Sequence, residues 1–295
     1  MNMQLQHSIF QSSCQRSSYI RGIWGENMKE YIIKDTHGNQ ATILPEKGAT
    51  VISFIANGVE VFYKDEENIE SPERPRCGIP FLFPVFGRTP EDSIYPMEIH
   101  GFGHTSVWSV LEHEEDVLRL ELEANDETKK VYPFEFRVEL IFSVKDAKLN
   151  IHQIYENLGE IDMPYSFGFH PYFVTNPTEV KVEVNAELEM DMLTGKPVPV
   201  KNPMVQLQFP EGAPESGAFF LQAKEKAILH RPDGNKVHME FDENFNRLVL
   251  WAVRGKEFLC VEPINSSPNG LVTGDCYTLK KNEKREAVVS FGVER

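Results

Sequence analysis

Four stretches of this chain set titratable or hydrogen-bonding side chains where chemistry could be done. In "SFGFHPYF" (166–173) a strand pattern sends Phe167 and Phe169 one way and Ser166, Gly168 and His170 the other. A face of Ser and Gly leaves room beside an imidazole, as a pocket wall does, although a core His held by a nearby carbonyl fits the same pattern. In "FLCVEPI" (258–264) both faces are apolar, so the strand should be central and Glu262 should point inward beside Cys260 and Ile264. Burying a carboxylate without partners costs roughly several kcal/mol. Glu262 is therefore expected to be paired, or to act as a base with a raised pKa, unless it escapes to solvent before Pro263. "GIPFLFPVFGR" (78–88) closes an apolar run on Gly87-Arg88. That puts Arg88 either at a pocket edge, its fork of donors suited to hydroxyl or carboxylate oxygens, or in a solvated loop. "MEIHGFGHTSVW" (97–108) flanks His100 with Gly101 and Gly103, so that a backbone or a ligand can come close to the ring.

Other chemistries find less support. His100 and His104 have the separation of a helical zinc pair, but the glycines and the β-rich surroundings argue against a helix, and no other Cys or His completes a recognisable ligand set. The four cysteines, at 14, 77, 260 and 276, form no CxxC pair and suit a reducing cytosol. There is no phosphate-binding Gly-rich loop in a strand-to-helix setting and no G-x-S-x-G elbow. No metal and no cofactor is expected.

These residues need strands to hold them, and strands dominate the pattern. "VLRLELEA" alternates Leu118, Leu120 and Leu122 with Arg119, Glu121 and Glu123, and "FEFRVELIF" and "EVKVEVNA" repeat the device. Asn57-Gly58 between apolar runs marks a tight hairpin. Further strands are expected at 148–157, 236–241, 246–253, 258–264 and 286–294, and no segment keeps a helical stripe over ten residues. The 295 residues, 41% hydrophobic and 25% charged, can bury a full core without a linker or an internal repeat. The chain reads as all-β, a single domain over 28–295 in which large antiparallel sheets pack face to face.

Lys and Arg number 30 against 45 Asp and Glu, a net charge of −15. That balance opposes nucleic acid and anionic membrane surfaces as partners and favours a small molecule. No apolar run approaches the roughly 20 residues of a bilayer span. Residues 1–27, rich in Ser and Gln, carry too little Arg for a strong transit peptide and read as a poorly ordered extension; a cytoplasmic location is expected.

Taken in order, "FPVFGR", "HGFGH…W", "FHPYF" and "VEPI" resemble the aldose 1-epimerase (mutarotase) family over about residues 30–294. The resemblance implies a β-supersandwich and interconversion of the α and β anomers of an aldohexose. By it, His170 is the general acid, Glu262 the general base, His100 a second imidazole near the ring oxygen, and Arg88 a clamp on sugar hydroxyls. His104, Trp108 and Asp242 are further substrate-binding candidates, and Trp251 a second ring that could stack on the sugar.

Departures bear on the sugar more than on the reaction. Ile264 stands where the family often has an aromatic, and His104 where close relatives often have Arg. The acidic Gly-Asp-His-Asn motif of galactose mutarotases is absent, leaving Asp242 in "EFDENF" as the nearest carboxylate. Pro171 follows His170 where the hexose-6-phosphate branch usually has Thr, which leans towards an unphosphorylated aldose. Anomer exchange needs a proton removed at O1 and another delivered to the ring oxygen, which an acid and a base on opposite sides of the sugar would supply. The alternatives are a hexose-6-phosphate mutarotase and a carbohydrate-binding β-sandwich without turnover.

Overall fold

A computed structural model of the protein describes residues 28–71 and 73–294; the N-terminal extension expected at 1–27 lies outside the described residues. Strand alternation becomes architecture through one long strand, Glu215–His230. Its first half pairs with Arg247–Val253 and its second half with Lys236–Phe241, both antiparallel. Gln222 and Glu225 lie between the halves with φ of 55° and 59°, a backbone that L-residues rarely adopt, and there the strand bends out of one layer into the other.

From the first half one layer continues through Phe258–Ile264 to the short strands Gly168–Phe169, Tyr172–Val174 and Phe81–Leu82. From the second half the other layer continues through Lys284–Glu294, Lys148–Asn157, Phe136–Lys145, Val117–Glu123 and Ser109–His113. Lys181–Asp191 runs along the far edge of the bent strand and serves both. A separate four-stranded sheet (Tyr31–Lys34, Gln40–Leu44, Thr50–Ala56, Val59–Glu60) joins the first layer through bridges Val51–Ile79 and Phe62–Phe173. Its last turn is the anticipated Asn57-Gly58 hairpin, both residues at positive φ.

Aromatic side chains bind the layers. Phe81 and Phe83 of the first meet Tyr155 and Phe136 of the second, Phe167 lies 4.6 Å from Tyr155 and Phe173 6.1 Å from Phe291, ring centre to ring centre. Period two then decides the opposite face: with Phe169, Leu259 and Val261 turned into this core, His170, Cys260 and Glu262 must face away from it. The expected strands 148–157, 236–241 and 258–264 are found over those residues. The segment 166–173 is instead two short strands broken at His170-Pro171, where Pro171 has no N–H for the ladder.

His100 enters this face on a turn, not a helix. It and Gly101 take consecutive left-handed conformations, φ 69° and 72°, and a Cβ on Gly101 would fall 2.3 Å from the carbonyl oxygen of Phe83. Gly101→Ala is therefore expected to cost at least about 2 kcal/mol and to displace His100. A thermal melt within a degree of the parent would refute that reading of the turn.

Candidate active site

Register brings the acid–base candidates together. Gly168 pairs with Ile264 and Tyr172 with Cys260, so His170, between them, stands across from Glu262 on the neighbouring strand. His170 Nε2 lies 3.4 Å from Glu262 Oε1, and both side chains are buried. The two groups are thus side by side and address a ligand from one direction, not from opposite sides as the reaction alone suggested. The room expected beside Gly168 is also taken: a Cβ there would lie 2.6 Å from Ile264 Cγ2.

Aromatic and imidazole rings fix His170. Tyr172 stacks on it at 4.7 Å with 10° between the planes, while Trp251 and His100 meet it edge-on at 5.7 and 5.5 Å. His100 is held by Gly87, whose carbonyl accepts from the His100 N–H and whose own N–H donates to Nδ1 at 3.3 Å. An accepting Nδ1 leaves the proton of the neutral ring on Nε2, where it can be offered to a ligand. His170 Nδ1 and His104 Nδ1 are buried with no hydrogen-bond partner among the described residues.

Burial dominates the electrostatics. It pushes the Glu262 carboxyl up to about 8, although the Arg74 guanidinium pulls the other way. Burial and then Arg74 push His170 and His100 well below 6.5, and His104 down to about 3 with Lys47 adding to the effect. At neutral pH burial therefore favours a protonated Glu262 carboxyl beside a neutral His170.

Four predicted residues meet here: His170, Glu262, His100 and, 6.4 Å from His100 ring to ring, His104. Three do not. Trp108 is core, its indole N–H donating to the Gly103 carbonyl and its ring against Phe81. Asp242 caps backbone N–H groups of Asn244 and Val288 in the second layer. Arg88 is more than half exposed and pairs with Glu98 at 3.0 Å. The cation whose charge acts most widely on these groups is Arg74, half-buried and felt by Glu262, Tyr172, Cys260 and all three imidazoles. No periodicity marks it, since it belongs to the loop "SPERPRCG"; a loop cation just before an apolar strand was the one available signal. Among the described residues no three His, Cys, Asp or Glu side chains converge as a metal ligand set.

Residues 29–292 match the family model described as aldose 1-epimerase. Among solved structures, a protein of Synechocystis sp. PCC 6803 is similar at 29% identity over 94% of this chain and 99% of its own, with a TM-score of 0.82. A galactose mutarotase-like protein of Lactobacillus casei is 20% identical, with coverage of 90% and 100% and a TM-score of 0.73. Another from Clostridium acetobutylicum is 18% identical, with coverage of 92% and 100% and a TM-score of 0.72. The last two share the fold, a galactose mutarotase-like sandwich.

The buried carboxyl carries a stability cost with a definite sign. An unfolded Glu releases its proton near 4.5 and the folded one near 8, so folding loses stability as pH rises between these values and no more above them. The loss is on the order of 5 kcal/mol. Glu262→Gln does not titrate, so its melting temperature should exceed the parent's by several degrees at pH 8, with the gap closing towards pH 5. A gap independent of pH would mean that Glu262 stays ionised in the folded protein.

Proposed function

The chain belongs to the aldose 1-epimerase family, and on that premise we propose that it interconverts the α and β anomers of an aldose with Glu262 and His170 as the proton-exchanging pair. The observation that carries this is their 3.4 Å contact on the face turned away from the core. In ring opening one member takes the O1 proton while the other gives its proton to the ring oxygen; the bond from C1 to the ring oxygen breaks and C1 becomes a carbonyl. Rotation about C1–C2 presents the other carbonyl face, and reclosure returns each proton to its origin. Both oxygens are bonded to C1, so an acid and a base side by side suffice, and no net proton enters or leaves.

The family resemblance names His170 as acid and Glu262 as base, which describes the pair with its proton on the imidazole. Burial favours the proton on the carboxyl, so sugar binding must supply what the imidazolium form lacks. His100 Nε2–H is suited to the ring oxygen, and Trp251, half-buried beside His170, offers a ring for sugar stacking. Remaining hydroxyl contacts hold the open chain while C1–C2 rotates.

Polarimetry of freshly dissolved α-glucose and α-galactose tests this directly. Glu262→Gln and His170→Asn should each slow mutarotation by roughly 10² to 10⁴-fold while sugar affinity changes far less. The wild-type kcat/KM should fall above about pH 8, where the shared proton is lost. Near-normal rates in both folded variants would remove these residues from the chemistry. Sugar binding without turnover in the wild type would establish a carbohydrate-binding module instead.

A further inference from the structure

The strand that carries Glu262 ends at Ile264, and one side chain holds both ends of the loop 265–275 that follows. Arg247, half-buried, pairs with Ile264 across the ladder. Its guanidinium donates to the Asn265 carbonyl at 2.8 Å, to Asn246 Oδ1 at 2.6 Å and to the two carboxylate oxygens of Asp275 at 2.8 and 2.9 Å. Asp275 in turn accepts from the Ser267 N–H at 2.9 Å. The loop closes on itself at Gly270, where a Cβ would lie 2.3 Å from the Asp275 carbonyl oxygen. A planar guanidinium can serve these acceptors in fixed directions at once, which the point charge of an ammonium cannot.

The loop so fastened grips the two segments that bear the imidazoles. Asn265 Oδ1 accepts from the Phe167 N–H at 2.7 Å, and the Asn265 N–H donates to the Phe167 carbonyl at 3.2 Å, three residues before His170. The Asn269 N–H donates to the Phe86 carbonyl at 3.1 Å, and a Cβ on Gly87 would lie 3.0 Å from Pro268 Cβ. Gly87 is the residue whose backbone holds His100, and the Phe86 ring lies 5.3 Å from the His100 ring. His100 and His170, 5.5 Å apart ring to ring, thus lean on one loop although they belong to different segments. Among the described residues the hydrogen bonds of Arg247 and Asp275 go to that loop and to Asn246, and none goes to Glu262, His100 or His170.

Resting on the anomer-exchange reading, we propose that Arg247 and Asp275 are positioning residues, their ion pair holding loop 265–275 as a brace that fixes His100 relative to the Glu262–His170 pair. Proton transfer depends steeply on alignment, and a displacement of about 1 Å far from the chemistry can cost roughly 10²-fold in rate. A partly exposed ion pair, by contrast, adds little to stability. The brace therefore matters more to the rate than to the fold.

The test uses the full chain with Asp275→Asn, which keeps an acceptor for Ser267 but loses the charge, and Arg247→Lys, which keeps the charge but loses the fork. Arg137→Ala, in an ion-pair cluster of the second layer, is the control for destabilisation alone. Each brace variant should lower kcat for α-glucose or α-galactose roughly 10-fold or more with KM within about 2-fold of the parent's. Melting temperatures should fall by less than about 5 °C. The double variant should be no slower than the slower single one, since the two side chains act through one contact. Imidazole ¹⁵N spectra supply a readout that lost stability alone does not move. The parent His100 should show a neutral ring protonated at Nε2 and accepting at Nδ1, and Asp275→Asn should weaken that signature. Asp275 is the more exposed partner, so its variant keeps the comparison available should Arg247→Lys fold poorly. Near-normal kcat in Asp275→Asn, equal slowing of the control, or a slowed variant with unchanged His100 and His170 signals overturns the inference. If the parent turns over no aldose, the anomer-exchange reading fails, and the imidazole spectra by themselves decide whether the brace stands.

Discussion

The site depends on keeping a carboxylate out of water beside an imidazole. Glu262 lies on a strand whose seven residues are all buried, and among the described residues His170 is the side chain that pairs with it. In water such a carboxyl and imidazole would titrate about two units apart in the familiar order, carboxylate and imidazolium. Buried together they favour the uncharged arrangement, a protonated carboxyl beside a neutral imidazole.

The rest of the first layer exists to make that burial possible. Its inner face is a run of phenylalanines locked against Tyr155, Phe136 and Phe291, and its outer face is closed around the pair by Leu82, Val249, Ile264 and Tyr172. Ile264, where an aromatic is common in the family, fills the space over Gly168 and so helps exclude water from Glu262. Backbone bonds from Gly87 set the orientation of His100 without spending a side chain on it.

Much of this was legible in the sequence. Alternation located the strands wherever one face is buried, and the doubly apolar strand around Glu262 announced a central position that its burial confirms. The bent strand Glu215–His230 was not anticipated, because its alternation is interrupted where it changes layer and its middle carries "QAKEK", exposed but for Ala223. Glu262 was legible because strand direction fixes where a residue points, and His100, on a turn, because glycines flank it. Arg74 was not, because its position depends on how a loop is tied down by Lys47, Asn68 and Tyr63, contacts that no periodicity reveals. Arg88 illustrates the converse: it follows the right apolar segment, but the turn at Gly87 directs the Gly87 backbone, not the arginine, towards His100.

The strand that belongs to both layers also ties their fates together. Its hydrogen bonds to Arg247–Val253 and to Lys236–Phe241 come from one continuous piece of backbone. Loosening the layer that carries the site would pull on the ladder that closes the opposite layer, so the two cannot open as separate cooperative units. Backbone amides in Phe258–Ile264 and in Lys284–Glu294 should exchange with solvent only on global opening, and the Glu262–His170 pair inherits the rigidity of the whole sandwich.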